Sequence, residues 1–347
     1  MRRFLLQMLA FLLLQAGVLM GLLAGRDIPP DSPNYLAETV PKNIRLHRLG
    51  PGKLILVGGS SAAFGFWSDR IEAALGRPVQ NMGLAAGLGA EYLLAEAAAG
   101  ARTGDVVVLS LEYDHFARGP NADAWRGVGF DPEILRQVLS FRPAGVACLG
   151  MIHARRVVLE RGRFIVGAWG RDGVRDWGRR LGLLPPASPP DRGFNRWGDF
   201  VGHRDQPSRA STQQVIGGHV VCDRRNYPNP VLCRRVARFV RQMHARGVTV
   251  AWSFAPKPAP VLTREADLAE RLERALQTIP GLLLLDRPAD HGYPPEQFFD
   301  TANHLTAAGA AARTRRLIAA LRKAGLSARV SRRSAPAGRA SVTPAGK

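Results

Sequence analysis

Two short stretches, far apart in the chain, hold the residue types suited to covalent catalysis. GGSSAAFG at 58–65 follows the apolar run LILVG at 54–58. A serine on a tight strand-to-helix turn, here Ser60 or Ser61, is exposed at the sheet edge. It also lies close to unpaired helix N–H groups that can stabilise an oxyanion. Near the other end, QFFDTANHLTAAG at 297–309 places Asp300 four residues before His304, on a turn entering a helix. Such a carboxylate can orient an imidazole and balance the imidazolium formed during acyl transfer. Each stretch alone is weak: glycine and serine are ordinary turn residues, Asp300 is a good helix cap, and His304 could be a satisfied surface histidine. Together they supply a nucleophile, a base and an orienting group. The 58–65 stretch is not a phosphate-binding loop, because it lacks the GK[ST] ending, nor is it a G-x-S-x-G elbow.

These residues need a scaffold, and the chain supplies an alternation of strands and helices. LILVG reads as a buried parallel strand. SDRIEAALG at 68–76 should be a helix capped by Ser68 or Asp69, and AEYLLAEAAAGA at 90–101 another. DVVVLSLEY at 105–113, VTVAWSF at 248–254 and GLLLLD at 281–286 read as strands. PEILRQVLS at 132–140, 230–247, 263–278 and 306–324 read as helices. Strands alternating with helices imply α/β architecture: a three-layer α/β/α domain with a parallel sheet. In such sheets reactive groups gather beyond the carboxyl ends of the strands.

With these blocks in place the chain resembles the SGNH (GDSL-like) hydrolase superfamily. Gly59-Ser60-Ser61-Ala62-Ala63-Phe64-Gly65 matches the spacing of its first block, with Ser61 at the nucleophile position and Ser60 in place of the aspartate. Gly83 matches the second-block glycine, with Asn81 two residues before it. Asp300 to His304 matches the last block at one residue longer, a spacing most similar to the membrane-anchored branch that serves envelope polysaccharides. The resemblance implies Ser61 as nucleophile, His304 as base and then acid, Asp300 as orienting carboxylate, and an oxyanion hole from the Ser61 and Gly83 N–H groups. The third block departs from the family. Its oxyanion-donating asparagine is replaced in Leu111-Glu112-Tyr113-Asp114, and an ionised Glu112 cannot donate. Substrate-side candidates are Asn81, Glu112 and, in GFNRWGDFVGH at 193–203, Asn195 and Asp199, with a purely structural loop as the alternative reading of that segment. The implied activity is that of an O-acetylesterase or O-acyltransferase working through an acyl-serine on a cell-envelope carbohydrate. It would need an acyl donor and no cofactor or metal. The alternative is a catalytically inactive binding or scaffolding protein of an envelope polysaccharide assembly. An acylation or secretion complex is an expected partner.

Composition narrows the setting. Of 347 residues 46% are hydrophobic and 22% charged, which excludes wholesale disorder. Three cysteines without a CxxC pair argue against a structural zinc site. Residues 4–25 form a 22-residue uncharged run, spanning roughly 33 Å as a helix, enough for a bilayer core. Arg2 and Arg3 precede it and Asp27, Asp31 and Glu38 follow, which predicts a single-pass anchor with the N-terminus inside and the domain extracytoplasmic, or periplasmic. A cleaved signal peptide is the rival reading. The expected layout is an anchor at 1–25, a stalk at 26–52, the SGNH-like domain at 53–325 with a basic insertion near 141–220, and a disordered basic tail at 326–347. The formal charge of +20 suits an acidic polymer or an anionic membrane surface. No nucleic-acid-binding pattern is present. The insertion carries 13 arginines against 6 acids, with Trp169, Trp177 and Trp197, and suits one wall of a groove for an anionic glycan, including Arg171, Arg175, Arg179 and Arg180; solvated surface arginines and docking onto anionic lipid headgroups are the alternative readings. Cys222 and Cys233 could pair in an oxidising compartment; three buried thiols are the alternative.

Overall fold

A computed structural model of the chain describes residues 2–24, 38–117, 193–217 and 225–327. Its centre is a five-stranded parallel sheet. The strands are β1 (Leu54–Gly58), β2 (Val79–Gly83), β3 (Val106–Ser110), β4 (Thr249–Trp252) and a short last strand, Leu283–Leu284. Their spatial order is β2-β1-β3-β4 and then Leu283–Leu284, so the chain winds outward from β1 in both directions. Alternate residues face opposite layers, as the period of a strand requires. Ile55, Val57, Val107, Leu109, Val250 and Trp252 pack on one face with the helices Ala90–Gly100, Pro230–Ala245 and Ala266–Gln277. Leu54, Leu56, Val106, Val108 and Ala251 pack on the other with Ser68–Leu75 and the last helix, Ala307–Lys323. The expected three-layer arrangement follows directly from that alternation.

Among the described residues the strand and helix assignments hold with three instructive exceptions, and the second half of the expected stalk is instead a helix, Thr39–Arg48, packed with buried Thr39, Lys42 and Leu46 against β2. β2, VQNMG, is absent from the sequence reading because polar Gln80 and Asn81 interrupt its apolar character; both are fully buried. They face a partner outside the sheet: Trp197 accepts from the Asn81 N–H at 2.8 Å, so the 193–203 segment covers this edge. The single helix expected over 263–278 is two, Ala259–Arg264 and Ala266–Gln277, broken at Glu265. The Glu265 carboxylate is buried and accepts from Lys257 at 2.6 Å. Finally, neither Ser68 nor Asp69 caps its helix; the capping position is Trp67. Ser68 instead gives its N–H and hydroxyl to Asp199.

At the amino-terminal end of the sheet, Lys53 and Asp105 form a buried ion pair at 2.6 Å. Asp105 also accepts the N–H groups of Gly52, Lys53 and Arg102, which fixes the starts of β1 and β3 at the end opposite the candidate site. A separate helix, α1 (Arg2–Ala24), exposes Phe4, Leu6, Phe11, Leu13 and Leu14. Among the described residues no helix is long and apolar enough to cross a membrane. The α1 side chains from 18 onward lie outside them, as do 118–192, including the 132–140 helix, the four insertion arginines, Trp169, Trp177 and Cys148. Cys222 and the tail from 328 also lie outside, and Cys233 is a half-buried free thiol.

Candidate active site

Ser60 is the first residue of a short helix, Ser60–Gly65, that starts two residues after β1 ends. His304 and Asp300 lie on the loop before the last helix. The structure joins them in one chain of hydrogen bonds. His304 Nδ1 is 2.7 Å from Asp300 Oδ1, and His304 Nε2 is 2.8 Å from Ser60 Oγ. With Nδ1–H donating to the carboxylate, Nε2 is left as the acceptor for the serine proton. Ser60 and His304 are half-buried, so the site opens to solvent. Burial by itself would raise the Asp300 carboxyl, but the His304 hydrogen bond and charge, with the charge of His203, hold it below its ordinary value. The His304 ring is stacked on Phe64, with centroids 3.9 Å apart and planes 3° apart.

The geometry corrects the choice of serine. Ser61, expected as the nucleophile, is fully buried and its hydroxyl has no hydrogen-bond partner among the described residues. One step along a helix turns a side chain by about 100°, so only one of two adjacent serines can face the histidine. Ser61 contributes backbone instead: its N–H donates to Glu112 Oε1 at 3.0 Å, and its carbonyl accepts from Arg313 at 2.8 Å.

The expected oxyanion donors are corrected as well. The Ser61 N–H is taken by Glu112, and the Gly83 N–H donates to Asn81 Oδ1 at 2.8 Å. The Gly59 N–H also donates to Glu112, at 3.0 Å. Ser60 N–H, between these two engaged amides, has no acceptor among the described residues. It is the donor this turn leaves available next to the Ser60 hydroxyl. Glycine is required at 59 and 83 for space: a methyl group at 59 would meet Glu112 Oε1 at 2.4 Å, and one at 83 would meet the Ala63 N at 2.3 Å.

Among the described residues, all four substrate-side candidates are engaged in internal hydrogen bonds. Glu112 is buried behind the turn with His115, whose Nδ1 lies 3.1 Å from Glu112 Oε2. Burial alone would raise the Glu112 carboxyl; the hydrogen bond and charge of His115, together with Ser61, bring it to about 2. His115 Nε2 is 3.1 Å from the Ala86 carbonyl, so both ring nitrogens face acceptors, which favours the protonated ring; burial works against it, but the Glu112 hydrogen bond and charge raise the His115 pKa overall. Asn81 donates to the Ala62 carbonyl and to Asp199, both at 2.9 Å. Asn195 accepts from the Trp197 and Asp199 N–H groups. Asp199 is fully buried and takes donors from Ser68, Asn81, Asn195 and Arg204. These residues build the site's support rather than its mouth.

That support is a strap, residues 193–217, and it touches both halves of the site. Phe200 N–H bonds the Ala63 carbonyl on the Ser60–Gly65 helix. Arg209 and Ala210 N–H groups bond the Phe299 carbonyl next to Asp300. His203 bonds the Leu305 carbonyl at 2.9 Å and packs against Phe64, Phe200 and Phe299. Burial lowers His203 to about 4, against the pull of its Leu305 bond and with the help of the Arg204 and His304 charges, so it is neutral at physiological pH. Sequence reasoning missed His203, which sits on an irregular segment that leaves no periodic mark, and Arg313, a charged residue of the last helix whose complete burial its type does not signal. Among the described residues no group of side chains could hold a metal ion. Compared with protein-family models and with curated proteins, the chain matches none.

Proposed function

We propose that this chain is a serine acyl-ester enzyme of the SGNH type, with Ser60 as nucleophile. One observation carries the reading: a continuous hydrogen-bonded chain from Ser60 through His304 to Asp300, built from residues 244 apart in sequence. Ser60 Oγ attacks the ester carbonyl while its proton passes to His304 Nε2. The negative charge on the carbonyl oxygen falls beside the Ser60 N–H. The ester C–O bond then breaks, the leaving alcohol takes the proton from His304, and the acyl group stays on Ser60. Water activated by His304 releases it as a carboxylic acid; a carbohydrate hydroxyl in place of water makes the same step a transfer. Asp300, held ionised, supports the imidazolium at both stages.

The substrate class and setting rest on the resemblance and on α1. A membrane-anchored, extracytoplasmic enzyme would meet envelope carbohydrate, and the apolar residues exposed along α1 suit an anchor. The occupied Gly59 and Ser61 amides favour a second reading, an inactive binding or scaffolding protein. A fluorophosphonate probe separates the two. Labelling of wild type, retained by Ser61→Ala and abolished by Ser60→Ala, is expected for the enzyme; an unlabelled wild type would leave the binding reading standing.

A further inference from the structure

The carboxylate of Glu112 takes the two amides that flank Ser60 and leaves the one between them unengaged. A carboxylate used only to close a turn would not need a charged partner fixed to a second loop. Here His115 binds Glu112 on one side and the Ala86 carbonyl on the other. Ala86 opens a short helical turn, Ala86–Leu88, whose first residues are partly exposed. A methyl group on Gly59 would also meet the Ala86 Cβ at 2.7 Å, so this loop lies directly against the nucleophile turn. From the opposite side, Arg313 on the last helix grips the Ser61 carbonyl and the Ser110 hydroxyl, at 2.8 and 2.6 Å. The peptide groups around Ser60 are thus clamped by one buried anion and one buried cation.

We infer that Glu112, fixed by His115, is a positioning residue that aims the Ser60 N–H at the developing oxyanion and sets its distance from the Ala86 loop. The inference rests on the acyl-transfer reading above. Glu112 itself touches no reacting atom. It acts by denying the Gly59 and Ser61 amides any other orientation, which leaves a single preset donor in place before substrate arrives. A neutral amide at 112 has the same shape but one acceptor oxygen; its NH2 group would face one of the two amides donor to donor. The turn would then relax, and a displacement of about 1 Å near reacting atoms can cost on the order of 10²-fold in rate.

The test is Glu112→Gln assayed on a small acetyl ester, with the rate of fluorophosphonate labelling at Ser60 measured in parallel. The expected result is a fall of about 10²-fold in kcat with KM unchanged, matched by equally slower labelling. A merely structural ion pair would lower the melting temperature and leave both rates per folded molecule at the wild-type value; that result would overturn the inference. If Glu112→Gln does not fold, His115→Gln keeps the carboxylate and removes the imidazolium that fixes it. It is expected to lower kcat in the same way, and an unchanged kcat would overturn the inference. A wild type that neither turns over the ester nor labels at Ser60 would sink the acyl-transfer reading and this inference together. A labelled wild type with an unimpaired Glu112→Gln variant would sink this inference alone.

Discussion

Replacing Asp199 by asparagine tests whether the strap is held from within or is held by substrate. The carboxylate is fully buried. One oxygen accepts the Ser68 hydroxyl at 2.5 Å and Asn81 Nδ2 at 2.9 Å; the other accepts the Ser68 N–H at 2.8 Å and, at longer range, Asn195 and Arg204. An amide can replace only one of those oxygens as acceptor. If its NH2 turns toward Asn81, two donors face each other, because Asn81 is already committed to Ala62 and Gly83. If it turns the other way, the Ser68 N–H is orphaned. Charge-assisted bonds contribute about 1.5–3 kcal/mol each, and a buried unpaired donor costs about 1–3 kcal/mol. With partial relaxation, the net loss should be about 2–4 kcal/mol. For a domain of this size that is a fall of roughly 5–15 °C in melting temperature. Thermal and urea denaturation would measure it, with KM on a polysaccharide substrate recorded on folded protein at low temperature. A variant as stable as wild type would refute the argument. Stability unchanged with KM selectively raised would return Asp199 to the substrate side.

Acid should remove the contribution of Glu112. Its folded-state value of about 2 lies below its ordinary 4.5, so its stabilisation is fully present above about pH 4.5 and is lost as pH falls toward 2. Urea curves should therefore show wild type losing more stability than Glu112→Gln across that window; parallel losses would contradict it. Gly59→Ala puts a methyl group on the Glu112 carboxylate and should lower kcat at least about 10-fold. Unaltered kinetics would mean the turn tolerates displacement.

Most of the scaffold was legible because its signals are local. LILVG and VVVLS are short apolar runs with polar or turn-forming neighbours, and both became central strands. The aspartate and histidine of the last block share one loop, so their spacing could be read. What escaped depends on contacts distant in sequence. Gln80 and Asn81 look unlike strand residues until Trp197 covers their edge. The choice between Ser60 and Ser61 turns on which way the first helical turn faces, and spacing against a family block does not fix that. Glu112 was read as a failed donor, whereas its chemistry here is acceptance. Asn195 and Asp199 looked available for substrate because five residues hold enough polar groups for it; burial and partners consumed them.

The clamp on Ser61 has a consequence for biosynthesis. Arg313 and His304 are made long after Ser60, so a growing chain that stops short of residue 304 has the serine without its base. One that stops short of 313 has both, but lacks the cation gripping the nucleophile turn. At about 5–20 residues per second, the interval is on the order of 10–50 s. On the reading proposed above, Ser60 is an ordinary hydroxyl during that time, inert toward esters. On that reading, reactivity is delivered with the last helix, and only a chain long enough to dock it would acquire an acyl group.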